Sequence, residues 1–369
     1  MTGISYDAYF PDMRIATSFC LLLGAAGSML SAPASAANAL FAQPRATIAG
    51  LPDCPAPPAP IKRLATQSMY VTGDKSYSKI DPKQAKAREQ TLAPIQKFTT
   101  DVAHFANHYV KSGGKDVKAG GCALVWLDIW AKAGAMRTMA EHESQFVRSV
   151  NLAGWALAYA QVRNLKVEKD APQPVIDAWL NGMARDMQHH FNGLKNVTGR
   201  NNHRYWAGLA ASAVAMDTGT KSLADWGLAS ARIGLAQITQ RGALPAELTR
   251  GRRARHYHLY AAAPLVMTAA IADANGVDLY AEQDGALHRL VRFATQSLLS
   301  PSRIAELAGV QQEPFNATTA VGRQNVAWME FYVRRFPGRS PAEAMILKGR
   351  PLRDDELGGD LTMLARSLP

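Results

Sequence analysis

From Asp81 onward the chain is written in helical spacing. Val175, Ile176, Trp179, Leu180, Met183 and Met187 fall on one face of a helix, as a 3.6-residue period requires. Similar Ala- and Leu-rich patterns occupy roughly 121–135, 142–163, 204–217, 223–240, 255–275 and 281–299, and convincing period-2 strands are scarce. Asp81 followed by Pro82 is a helix start, because proline's missing N–H is no loss at the first helical position. Connections such as 217-DTGTKS-222 and 273-DANGVD-278 are short, so neighbouring helices run antiparallel. The pattern predicts an all-α fold of hairpins. A bundle, a solenoid and a closed toroid all satisfy it, since no sequence repeat separates them.

With 369 residues, 47% of them hydrophobic, the chain has ample material for a core. Its formal charge of +11 points to an anionic partner: nucleic acid, a membrane surface or an acidic polysaccharide. The N-terminus narrows that choice. From Met13 a single basic residue is followed by an apolar run and then by Ala34-Ser35-Ala36, the layout of a secretory leader and too short a run to span a membrane. Residues 1–12 carry Asp7 and Asp12 and open such a leader poorly, so translation is expected to begin at Met13. Cleavage after residue 36 removes Asp7, Asp12 and Arg14, leaving about +12. Export to the periplasm, or secretion, disfavours nucleic acid and leaves no membrane anchor. The expected organisation is a leader at 1–36, a Pro-rich arm at 37–63 and one domain at 64–369 that opens with a long loop at 64–80. Nothing marks a second domain, and a monomer is expected.

Cys20 lies in the leader, which leaves Cys54 and Cys122. In an exported protein these two can form one disulfide tying the arm to the body; the alternative is two free thiols. His104 and His108 have a spacing that can bind zinc, but no HExxH pattern or third ligand accompanies them, so no metal or cofactor is expected. Trp126, Trp130, Trp155 and Trp179 read as core by spacing. Glu141, His142, Glu143, His189 and His190 read as exposed polar positions.

Two segments stand apart, 201-NNHRYW-206 and 247-ELTRGRRARHYHLY-260. They supply an amide (Asn202), an imidazole (His203), a guanidinium (Arg250) and a phenol (Tyr257). Such groups suit β-elimination beside a uronate carboxylate. That reaction needs the carboxylate neutralised, the C5 proton taken by a base and the departing O4 protonated by an acid. Each residue type is common alone. The combination resembles polysaccharide lyase family 5, which includes the bacterial periplasmic alginate lyases. The likeness is carried by NNHxYW, by Pro245, Glu247-Leu248, Arg250, Arg253, Tyr257-His258 and Tyr260, and by further stretches such as 122-CALVWLDIWAKAGA-135 and 327-AWMEFY-332.

The resemblance implies an incomplete (α/α) toroid with a deep substrate groove and cleavage of a mannuronate- or glucuronate-containing polysaccharide to 4,5-unsaturated products. It assigns Asn202 and Arg250 to the carboxylate and Tyr257 as general acid, with His203 as its partner or the base. Trp206 would line the groove. Tyr260 and Arg253 belong to the same motif and are further candidates for substrate contact. Where the C5 proton and O4 leave from the same side, as in mannuronate and glucuronate, Tyr257 alone can serve as base and acid. Guluronate presents its proton from the opposite side, where His203 is better placed.

Two departures bear on substrate. Alginate-specific members carry a lysine beside a tyrosine where this chain has Met69-Tyr70, although Lys75 and Lys79 lie nearby. They also have a small residue where this chain has His256, a change resembling the branch that acts on polyglucuronate, polymannuronate and sometimes hyaluronan. The tract 334-RRFPGR-339 is a further candidate source of a carboxylate-binding arginine. Two rivals stand beside the lyase: a polysaccharide-binding or export-associated protein without catalysis, and a hydrolase. The second lacks the paired carboxylates that hydrolysis uses.

Overall fold

The computed structural model describes residues 40–41 and 44–366; the leader expected at 1–36 lies outside them. Eight long helices carry the fold among the described residues. They are α1 (Pro82–Lys111), α2 (Val117–Lys132), α3 (His142–Val162), α4 (Gln173–Gly193), α5 (Asn202–Thr218), α6 (Lys221–Leu235) and, after the four-residue α7 (Pro245–Leu248), α8 (Ala254–Ala274) and α9 (Glu282–Leu299). The predicted start of α1 is in place: Asp81 accepts hydrogen bonds from the backbone N–H of Lys83 (2.8 Å) and Gln84 (3.1 Å). Three expected spans change: the helix read as 121–135 runs from Val117 to Lys132. The helix read as 223–240 stops at Leu235, and α9 is interrupted at Gln283–Gly285 by left-handed backbone.

Helices α1, α3, α5 and α8 pack successively against one another as an inner layer, while α2, α4, α6 and α9 follow one another outside them. Each inner helix is paired with the outer helix that follows it in the layer order. This arrangement of antiparallel hairpins is an incomplete α/α toroid. Sequence explains the layering. From Phe146 to Val162 every residue of α3 is buried, and α5 and α8 are buried over most of their length. A helix apolar all round needs neighbours on all sides, whereas an outer helix needs only a stripe. The four tryptophans read as core are core, at 4% exposure or less. Phe98 stacks on Trp130 with ring centroids 3.8 Å apart, and Trp155 stacks on Trp179 at 5.5 Å.

Among the described residues strands are confined to short pairings: β1 (Ala46–Ile48) with β4 (Leu165–Val167) and β2 (Arg63–Leu64) with β3 (Thr138–Met139), both parallel, and β5 (Arg353–Asp354) with β6 (Gly359–Asp360), antiparallel. The Pro-rich arm runs extended along α2. Its prolines cannot donate, but their carbonyls accept from the buried indoles, Trp126 to Pro55 (2.7 Å) and Trp130 to Pro58 (3.0 Å). Cys54 is disulfide-bonded to Cys122 in the same contact.

The C-terminal part contains α10 (Ser302–Ala308), α11 (Ala320–Gln324), α12 (Met329–Arg335), α13 (Glu343–Lys348) and α14 (Leu361–Arg366). The polar stretch 352–360 becomes a strap packed against α1 and α3. Asn107 and Gln161 both donate to the Gly358 carbonyl, at 3.0 and 2.9 Å. A Cβ on Gly154 of α3 would lie 2.6 Å from the Asp355 carbonyl oxygen, so glycine there lets the strap sit directly on the helix. The strap thereby carries Glu356 into the ring.

Candidate active site

A cavity of about 520 Å³ opens where α3, α5 and α8 begin, walled by the first half of α1, the 64–80 loop and the strap. Three inner helices therefore present their N-terminal ends to it, the electropositive ends of their dipoles. Arg88 and Lys75 add positive charge, partly offset by Glu143, 3.8 Å from Arg88; burial and the nearby Asp354 and Asp355 push the Glu356 carboxyl well above the usual range, which favours its neutral form.

The start of α5 is set by Asn201, whose side-chain oxygen accepts from the His203 backbone N–H at 3.1 Å. This cap turns the His203 imidazole into the cavity, where it stacks on Phe146 at 3.8 Å and 17°. Burial, then the charges of Arg250, His142 and Arg88, lower its pKa to about 3. The imidazole is thus neutral near pH 7 and holds a lone pair ready to accept a proton.

Two short turns, α7 and a 3-10 turn at Gly251–Arg253, deliver the next groups. Arg250 lies with its guanidinium carbon 4.3 Å from the centre of the Tyr257 ring and 5.2 Å from that of Tyr77. Behind it, Glu247 is fully buried, 3.6 Å from the Arg250 Nε. Burial raises the Glu247 pKa against the pull of Arg250 and Asn202.

On the first turns of α8, His256, Tyr257 and Tyr260 face the cavity. The Tyr257 and Tyr70 hydroxyls are 2.6 Å apart, and Arg253 Nη1 donates to the Tyr70 oxygen at 2.6 Å. Burial, and secondly Tyr70, push the Tyr257 phenol up; Arg250 and Arg253 pull the other way without cancelling the rise. Tyr257 is therefore a protonated phenol, a proton donor at neutral pH. His258, on the opposite face, is structural: its Nε2 accepts from the Leu244 N–H at 3.0 Å, and its Nδ1 lies 2.7 Å from the Ala254 carbonyl.

The 64–80 loop is ordered rather than loose. Asp74 accepts from the N–H groups of Ser76 (3.1 Å), Ser78 (2.8 Å) and Lys79 (2.8 Å) and from the Ser76 hydroxyl (2.6 Å). These bonds hold its carboxyl well below the usual range. The fold of the loop turns Tyr70, Lys75 and Tyr77 to the cavity.

The structure brings His203, Arg250, Tyr257, His256, Tyr260, Tyr70 and Lys75 to one cavity. It departs from the expectations at four positions. Trp206 does not line the cavity: it is 1% exposed and packs beneath Tyr260, ring centroids 5.1 Å apart, because its helix is buried on that side too. Asn202 is wholly buried behind the wall. Its amide nitrogen donates to both Glu247 oxygens (2.9 and 3.0 Å), so its neighbour Asn201 takes the lining position. Lys79 points outward, exposed, because the Asp74 turn reverses the chain before it. Arg253 lies behind Tyr70 instead of on the surface of the cavity. In the 334–339 tract, Arg335 pairs with Asp273 at 2.9 Å and Arg339 lies by His288 at 3.4 Å; neither lines this cavity. Sequence reasoning passed over Arg88, Phe146 and Glu356. His142 and Glu143 were read only as exposed polar positions, and they too stand on the wall. Asn201 has a legible signal, the N-cap position; Glu356 has none.

Residues 55–304 match the family described as alginate lyase. The chain belongs to that family, polysaccharide lyase family 5. A polysaccharide lyase of Stenotrophomonas maltophilia (strain K279a) is 34% identical over 85% of this chain and 90% of its own length. An alginate lyase of Azotobacter vinelandii is 31% identical over 85% and 84%. Among solved structures, alginate lyase A1-III from Sphingomonas species A1 superposes with a TM-score of 0.71 at 28% identity, covering 86% of this chain and 89% of that one. A histidine-to-alanine variant of alginate lyase A1-III complexed with a tetrasaccharide gives 0.74 at 27% identity, covering 84% and 85%. This family member is a polysaccharide lyase.

Proposed function

We propose that the protein cleaves the 1,4 bond of mannuronate- or glucuronate-containing polysaccharide by β-elimination in the periplasm. The carrying observation is one cavity in which a protonated phenol, a neutral imidazole and an arginine meet. Arg250 neutralises the C6 carboxylate, which lets the C5 proton leave. The C5–H electrons form the C4=C5 bond, the C4–O4 bond breaks, and the Tyr257 hydroxyl supplies the proton to O4. Asn202 acts through Glu247, whose carboxylate it holds against Arg250.

The proton acceptor depends on the sugar. His203 is the base for a C5 proton opposite O4. Its low pKa rises when a substrate carboxylate arrives, because an opposite charge favours the imidazolium. For mannuronate and glucuronate, with both groups on one side, Tyr257 acts as base and acid: its phenol proton passes to solvent as substrate binds, the phenolate takes the C5 proton, and that proton is then given to O4. Arg250 and Arg253 lower the cost of its phenolate, and Tyr70 can donate to it. His256, stacked parallel to Tyr260 at 6.0 Å, forms a neutral wall, which supports acceptance of both sugars.

The test is kinetic. Tyr257→Phe and His203→Ala are expected to stay folded, with Tyr257→Phe losing at least ~10²-fold in kcat on polymannuronate, the scale of a lost proton-transfer group. Wild-type rates from both variants would refute the roles. Tight, salt-sensitive polymer binding by the wild type without any product would indicate a binding protein instead.

A further inference from the structure

A second cavity, of about 470 Å³, lies along the outer helix α9 and is lined by Arg241, Arg289, Arg292 and Arg303. Among the described residues Asp284 is the one acidic residue lining it. Arg303 is paired with Glu306 at 2.7 Å, whereas Arg241 and Arg292 have no acidic partner among the described residues. Arg289 is held differently. It donates to three backbone carbonyls, Asp284 (2.6 Å), Gln283 (3.1 Å) and Thr239 (3.4 Å), so its charge is fixed in place without a counter-ion.

That arrangement needs unusual backbone. Gln283, Asp284 and Gly285 are all left-handed, with φ of 52°, 54° and 73°. A left-handed non-glycine residue costs about 1–2 kcal/mol, and such strain persists where the surroundings over-determine it. The facing loop is equally constrained. A Cβ on Gly242 would lie 2.2 Å from the Arg289 carbonyl oxygen, so the loop presses onto α9 and sets Arg241 at the rim.

We infer that this cavity is a second binding site for the uronate polymer, in which arginine forks hold carboxylates of a stretch of chain outside the catalytic cavity. The inference rests on the polyuronate substrate proposed above. Guanidinium groups match carboxylates in planar, two-pronged pairs. The segment 240–250 separates the two sites, with Arg241 in one wall and Ala246, Thr249 and Arg250 in the other. An extended chain of that length spans at most about 40 Å, so one long polymer can reach both sites, whereas a tetrasaccharide held in the catalytic cavity has few sugars left to occupy the second.

The test is the charge-reversed Arg241→Glu/Arg292→Glu protein, altered at two exposed residues outside the catalytic cavity. Long-chain polymannuronate is expected to show a KM raised about tenfold, with kcat and tetrasaccharide kinetics unchanged and the salt dependence of kcat/KM reduced. Arg241→Gln/Arg292→Gln repeats the comparison if reversal unfolds the protein. An unchanged long-chain KM would overturn the inference, as would an equal loss on the tetrasaccharide. Loss of binding to anionic phospholipid vesicles, with polymer KM unchanged, would assign the patch to a membrane surface and also overturn it. Direct polymer binding by calorimetry separates the two readings. If the wild type yields no unsaturated product yet binds polymer, and the double variant binds less, the catalytic reading fails and the second site stands.

Discussion

His203 shows what burial does to a single group. Held against Phe146 and facing Arg250, its imidazole is lowered to about 3. A depressed histidine pKa means that the folded protein prefers the neutral ring. The unfolded chain takes up the proton first as pH falls below about 6.5, and the fold loses stability from there down to about pH 3. Histidine NMR titration, assigned with His203→Gln, is expected to show this ring neutral down to at least pH 5 in the free protein. A midpoint near 6.5 would contradict the placement. The chemistry-bearing residues were legible because they stand in two short motifs whose residue types announce acid–base work. The difference between Asn201 and Asn202 was not. Which of two adjacent amides faces a cavity depends on the helix start and on Glu247, 45 residues away.

At the scale of elements, the helices were readable from periodicity and from the Asp81-Pro82 start, and the strap was not. Residues 352–360 look merely polar in sequence. Their order comes from Asn107, Gln161 and the bare backbone of Gly154, contacts that no local pattern reveals. Gly154→Ala tests this directly, since the new Cβ would also meet the Glu356 Cα at 2.9 Å. The expected cost is about 1–3 kcal/mol, that of overpacking a tight contact, read from urea unfolding together with a changed KM as Glu356 moves. A change within about 0.5 kcal/mol, the range of an ordinary surface substitution, would show that the strap is not seated on α3. The left-handed break in α9 was equally hidden, because Gln283 and Asp284 are ordinary helix-start residues in sequence.

For the molecule as a whole, an all-α hairpin fold follows from spacing and short connections. The order of the two layers does not, because each helix's neighbours are set by which face is buried, and bundle and toroid share the same local pattern. The arm is fastened by the Cys54–Cys122 bond, which closes a sequence separation of 68 residues. Cys54→Ser/Cys122→Ser is expected to lower stability by about 2–5 kcal/mol, mainly by freeing the unfolded chain. Denaturant unfolding checks it, and equal stability would mean that the tryptophan–proline contacts hold the arm alone. The formal charge of +11 and the arginines around both cavities give the molecule a surface suited to a polyanion. The reaction proposed for this surface is elimination on a uronate polymer. Purified protein incubated with polymannuronate, polyglucuronate and hyaluronan should generate rising ultraviolet absorbance from a C4=C5 bond conjugated to the C6 carboxylate on at least one of the first two. No absorbance from any of them, or new reducing ends without it, would contradict that claim.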